Sequence, residues 1–209
     1  MFFQKILKGI TGIDMRMAKK ILYKEGIQCA WWRKVETIRP ADWQAKLNER
    51  NLSWHLNHFE DADPTEKGEK FARHTPFIST TAGAVERDLI SRKNILFPAE
   101  YVATSFATNA FQQGGFVFYG YVYTLGQTSL KLIDFAEELR DLLVYTGFLP
   151  WHHEGEVVAK IHIPAIQLEK CEAWHCTSTG KLKRGKTIPN PNYEPPERYA
   201  NVREVLRPS

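Results

Sequence analysis

The sequence predicts an α+β fold, with short strands set between helices and long polar connections. Three observations carry this prediction. "GGFVFYGYVYTL" (114–125) is β-branched and aromatic and opens on a Gly-Gly pair, the clearest strand signal in the chain. "EVVAKIHIP" (156–164) alternates, so that Val157, Ala159, Ile161 and Ile163 share one face. Helical periodicities appear elsewhere, without the regular strand–helix repeat of a doubly wound sheet.

The elements follow in order. In residues 1–27, Phe2, Phe3, Ile6, Leu7 and Ile10, with Lys5 and Lys8 between them, suit an amphipathic helical segment broken near Gly9–Gly12. Its apolar face suits docking on the domain's own core, or a membrane surface. "QCAWWRKVET" (28–37) reads as a strand, and a helix starts after Pro40. Residues 51–72 are polar and turn-rich and read as a long loop. "PFISTT" (76–81) reads as a short strand; "AVERDLISR" (84–92) and "AEYVATSFATNAF" (99–111) read as helices. "LKLIDFAEELRDLLVYTG" (130–147) begins as a strand and becomes a helix ending at Gly147. From Thr177 the chain turns rich in Pro, Lys, Arg and Asn, so 177–209 reads as an extended tail beside a domain spanning 28–176. Its "KLKRGK" cluster suits either nucleic-acid contact or a solvated linker.

The composition is that of an ordinary globular domain, and 209 residues suffice for a core without staples. No apolar run reaches the roughly 18 residues that span a bilayer. The charged N-terminus lacks a cleavage site of small residues, so a secretory signal is not expected. Three cysteines, Cys29, Cys171 and Cys176, suit free thiols in a reducing, cytoplasmic setting. "CEAWHC" lacks the fourth ligand of a structural zinc, and no metal is expected. His55 and His58 read as surface histidines; "HHEGE" is not H-E-x-x-H, and "FISTT" is not G-x-S-x-G. The net charge of +4 permits an acidic partner without requiring one.

Three short stretches gain meaning together. Arg33 in "AWWRKV" offers a planar guanidinium suited to phosphate. Ser79, Thr80 and Thr81 follow "PFI" and supply hydroxyls that hold a carboxylate while leaving it ionised. Glu154 and Glu156 stand two apart before a Val-rich strand, a spacing that puts two carboxylates on one face. In this order, with His74 five residues before Ser79, the stretch 28–172 resembles the ADP-ribosyltransferases of the Arg–Ser–Glu, cholera-toxin-like class. Thr81 stands where many members carry a second Ser.

The resemblance implies a split β-sandwich, two small sheets around an NAD+ cleft, with flanking helices. NAD+ would be a substrate. It implies that Glu156 stabilises the cationic ribose, that Ser79 orients Glu156, and that Arg33 grips the phosphates. His74 and Thr80 would line the cofactor site, with Phe97, Tyr101 and Phe106 as candidates for stacking on nicotinamide. Glu154 would face the acceptor, which is a protein arginine or an RNA or DNA base. An enzyme that only hydrolyses NAD+ and an inactive binding module are the competing readings. An intracellular toxin with a neutralising antitoxin or immunity partner is the implied setting, without a membrane.

Overall fold

A computed structural model of the chain describes residues 2–35, 42, 45–82, 84–87, 94–97, 99–124, 156–198 and 203–204. The fold is α+β, and its centre is strand β1, Phe2–Thr11. Five further strands matter for the site: β3 (Phe77–Thr81), β6 (Gly115–Thr124), β7 (Glu156–Lys160), β9 (Leu168–Cys176) and β10 (Leu182–Pro189). They lie in the order β10-β9-β6-β1-β3-β7, and a short β11 (Arg203–Glu204) pairs in parallel with β1. Two small ribbons complete the strands, β2 (Ile27–Gln28) with β8 (His162–Ile163), and β4 (Ala84–Arg87) with β5 (Asn94–Phe97).

The pairing is uneven. β1 matches β6 from Phe2↔Thr124 to Thr11↔Gly115, and β3 matches β7 from Phe77↔Lys160 to Thr81↔Glu156. Between these blocks, β1 and β3 share one register pair, Leu7↔Thr81. The sheet is therefore split into two halves joined at a narrow seam, which is the architecture the resemblance implied.

The two faces are covered differently. One face carries the main core: Ile6, Phe116 and Phe118 on one half, Ile78, Val157 and Ala159 on the other. Ala18 of helix α1 (Met15–Lys20) and Leu22 of the π-helical turn behind it close over this core. Each fully buried aliphatic side chain here contributes about 1.5–3 kcal/mol of apolar burial. The opposite face takes two helices. Leu52 and Leu56 of α2 (Glu49–Asn57) pack on Phe77 and Val158. Ala99, Ala103 and Ala107 of α3 (Ala99–Ala107) pack on Leu7 and Val117. Leu7 and Thr81 are directly paired, so α2 and α3 sit on the same face, one over each half. The seam opens between them.

Close approach of α3 depends on Gly9. A Cβ there would lie 2.0 Å from the Ala103 carbonyl oxygen and 2.6 Å from the Ala107 nitrogen. No helix among the described residues is long and apolar enough to cross a membrane.

Several expectations are corrected. Residues 2–11 form the central strand, not a helix. Phe3, Gln4, Ile6, Leu7 and Gly9 are all buried, so the strand is covered on both faces and loses the alternation that would mark it. The expected tail contributes β10 and β11 to the same sheet. Where a strand was expected at 28–37, the described residues give the end of the short β2 and a 3₁₀ turn at Trp32–Lys34. Part of the expected loop is α2, whose start is capped by the Asn48 side chain accepting from the Asn51 N–H at 2.8 Å. Ala84–Arg87 is strand instead of helix. The expected strand and helix at 130–147 lie outside the described residues.

Candidate functional site

The floor of the cleft is β3. Phe77, Ser79 and Thr81 alternate onto the α2/α3 face, and Ile78 goes to the main core. A small cavity of about 30 Å³ opens at the seam, lined by Leu7, Lys8 and Gly9 of β1, the Ser79–Thr81 run, and Val102, Ala103 and Phe106 of α3.

Ser79 is held from behind by His55 of α2. The Ser79 Oγ lies 2.9 Å from His55 Nε2, and His55 Nδ1 lies 2.8 Å from Thr75 Oγ1. Thr75 Oγ1 also accepts the Phe77 N–H at 3.2 Å. His55 is 3 % exposed and its ring meets Phe59 and Phe77. A buried imidazole thus bridges two hydroxyls, one anchored in the core and one at the cleft. When Thr75 donates to Nδ1, Nε2–H donates to Ser79, and the Ser79 O–H is left to donate into the cleft. The sequence showed His55 only as one of two histidines in a polar run. Its spacing from Leu52 and Leu56 on one helical face is the signal that places it inside.

The remaining candidates are placed as follows. Thr80 lines the cavity, but it is buried and its hydroxyl donates to the Val157 carbonyl at 2.5 Å, so that hydroxyl serves the β3–β7 pairing. Thr81 is register partner of Glu156, which opens β7. This pairing gives position 156 the same pleat phase as Ser79 and Thr81. Glu154 lies outside the described residues. Phe97 closes β5. Phe106 is half exposed at the cavity wall.

Three expected site residues stand elsewhere. Arg33 is exposed on the 3₁₀ turn, not on a half-buried strand, and does not line the cavity. That turn is fixed to the far half: Cys29 N–H bonds the Ile161 carbonyl, Trp31 N–H bonds the Thr75 carbonyl, and Trp32 stacks on His162. His74 is also outside the cavity lining, with Nε2 3.2 Å from Lys34 Nζ and 3.7 Å from Glu69 Oε2. Lys34 first, against an opposing effect of desolvation, and then Arg73 and His74, hold the Glu69 carboxyl below its ordinary value. Tyr101 is exposed on α3, with its ring 5.7 Å from that of Phe111. Lys8 is the cation among the cavity-lining residues, but its pairing with Phe118 turns its side chain toward the main-core face, away from α3. It was legible only as part of an apparent amphipathic helix.

The cysteines behave as packing residues. Burial first, then Glu172, pushes the Cys171 thiol up to about 12, and burial also raises Cys29. Among the described residues no group of three His, Cys, Asp or Glu side chains is arranged to hold a metal.

No protein-family model matches the chain, and no curated protein matches it. Among solved structures, EcPltA aligns over 99 % of this chain and 93 % of its own, with 12 % identity and a TM-score of 0.49. A heat-labile enterotoxin carrying an Arg-to-Lys substitution aligns over 97 % of this chain and 82 % of its own, with 13 % identity and a TM-score of 0.44.

Proposed function

We propose that this chain is a mono-ADP-ribosyltransferase, which breaks the nicotinamide–ribose bond of NAD+ and transfers ADP-ribose to a macromolecular acceptor. The observation that carries the reading is the registry at the seam. A serine held by a buried histidine and a glutamate position in the same pleat phase stand on adjacent strands beside a cavity. The sequence pattern of Ser79-Thr80-Thr81 and Glu154-x-Glu156 supplies the chemistry for that position.

The reaction balances simply. The bond between C1′ and the nicotinamide nitrogen breaks, and its electron pair leaves with neutral nicotinamide. Positive charge develops on the ribose, as in glycoside hydrolysis. Glu156 stabilises that charge, and Ser79 orients Glu156. The acceptor's nucleophilic atom then bonds to C1′, and its proton passes to Glu154 or to water.

The test uses NAD+ labelled on its adenylate part, incubated with the protein and a cell lysate. Nicotinamide release and macromolecular label are read separately. Glu156→Gln is expected to lower nicotinamide release by about 10²–10³-fold, the usual loss for one electrostatic stabiliser. Glu154→Gln is expected to abolish label while leaving slow NAD+ cleavage. Cleavage without label by the unaltered protein points to a hydrolase. No nicotinamide release from it would sink the proposal.

A further inference from the structure

A second, larger cavity of about 190 Å³ lies between the start of α2 and the loop that leads into β3. It shares no lining residue with the seam. Buried side chains connect the two sites. His74 borders the second cavity; its neighbour Thr75 is 2 % exposed and meets His55, and His55 meets Ser79 at the seam.

The lining of this cavity is basic. Lys46 and Arg50 border it together with His74. Lys46 is fixed beside α2 by its carbonyl, which accepts from Asn51 Nδ2 at 2.8 Å. Among the described residues, neither Lys46 nor Arg50 has a carboxylate within ion-pair distance. The carboxylate in the lining is Asp63, and its Oδ1 already accepts the Thr65 N–H and hydroxyl. Glu69, outside the lining, is shared by Lys34, Arg73 and His74, so it leaves the charge of Lys46 and Arg50 uncompensated. When Lys34 donates to His74 Nε2, the ring proton sits on Nδ1 and adds a further donor.

Size and chemistry narrow the ligand. Pockets that enclose a whole drug-sized molecule run roughly 300–1,000 Å³, so this one suits a smaller group. Phe71 borders it at 4 % exposure, with the Trp54 ring 5.9 Å away, and offers no open face on which a nucleotide base could stack. A guanidinium beside an ammonium is a donor set for phosphate, the first as a two-pronged fork and the second as a point charge. A phosphate monoester carries about −1.5 to −2 near pH 7, a charge that two uncompensated cations balance.

We infer that this pocket binds a small phosphate-bearing ligand, orthophosphate or a phosphate monoester, at a site separate from the seam. The pocket takes this ligand whether or not the chain transfers ADP-ribose.

The test is a phosphorus-31 NMR titration of the full chain with inorganic phosphate and, separately, with ribose 5-phosphate. Saturable binding is expected, with a Kd of about 1 mM or tighter for at least one of them. Lys46→Gln/Arg50→Gln should weaken it at least about tenfold, the scale of one lost charge-assisted hydrogen bond. Arg16→Gln/Lys19→Gln removes the same charge from exposed positions on α1, outside the lining, and should change the Kd less than about twofold. Tighter binding of phosphate names the free anion as ligand, and tighter binding of ribose 5-phosphate names a monoester. Three results overturn the inference: no saturation by either probe, equal affinity of the unaltered protein and the Lys46/Arg50 variant, or an equal loss in the α1 variant. Succinate binding as tightly, with the same dependence on Lys46 and Arg50, overturns the assignment to phosphate. NAD+ displacing phosphate with that dependence overturns the separation, because the pocket would then belong to the dinucleotide site.

Discussion

Replacing His55 by Phe tests whether the buried imidazole fixes Ser79. The substitution keeps an aromatic ring against Phe59 and Phe77 while removing both hydrogen bonds. Thr75 is 2 % exposed, so its hydroxyl proton loses its acceptor where water does not reach. A buried polar group left unpaired costs about 1–3 kcal/mol. Ser79 is only partly buried and can turn to water, so its share is smaller, and the two together come to about 2–4 kcal/mol. Urea unfolding should show this as a lower midpoint at unchanged slope. Nicotinamide release should fall by about tenfold or more, because a mobile Ser79 no longer orients Glu156. Leu52→Ala is the control. It lies on the same helix, is fully buried, and should cost about 2–5 kcal/mol without touching Ser79. At a temperature where both variants are folded, only His55→Phe should lose rate. A stability loss under about 0.5 kcal/mol, or equal rates in the two variants, would refute the role assigned to His55.

Other outcomes follow from the same geometry. Arg33→Ala should change the KM for NAD+ less than about twofold, because Arg33 stands on an exposed turn outside the cavity lining; a rise of about tenfold or more would restore Arg33 to the site. Gly9→Ala should cost about 3 kcal/mol in thermal unfolding, because its Cβ meets α3 backbone atoms that cannot rotate away. Asp63 is buried, which raises its carboxyl, but the Thr65 hydroxyl and N–H, each at 2.7 Å, outweigh this and hold it below its ordinary value. The folded chain therefore takes up that proton less readily than the unfolded chain. The contribution is complete above the unfolded value, near 3.8, and is lost as the pH falls through the lower folded value. Asp63→Asn should be about 1 kcal/mol less stable than the parent at pH 7, a gap in urea unfolding that closes in strong acid.

What the sequence made legible depended on how each element is buried. β6, β7 and α3 announce themselves because each has a strong local pattern: aromatic and β-branched residues, alternation, or helical spacing. β1 does not, because a strand covered on both faces is apolar at neighbouring positions, and Phe2, Phe3, Ile6, Leu7 and Ile10 happen to fall at helical intervals. β10 fails for the opposite reason. An edge strand exposed over most of its length carries lysines and reads as polar chain. The candidate site divides the same way. Ser79 and Glu156 stand out in the sequence because their chemistry is local to a short motif. His55 does not, because it reaches Ser79 only through packing between helix and strand.

The central position of β1 sets a timetable. The strand is synthesised before the rest of its sheet, and its long partner β6 begins about a hundred residues later. At about 5–20 residues per second, the ribosome needs roughly 5–20 s to supply it. During that interval a segment destined for burial on both faces has no sheet to enter, and its apolar side chains are open to chaperones or to neighbouring nascent chains. The pairing that fixes β1 beside the seam must therefore wait until β6 has been made.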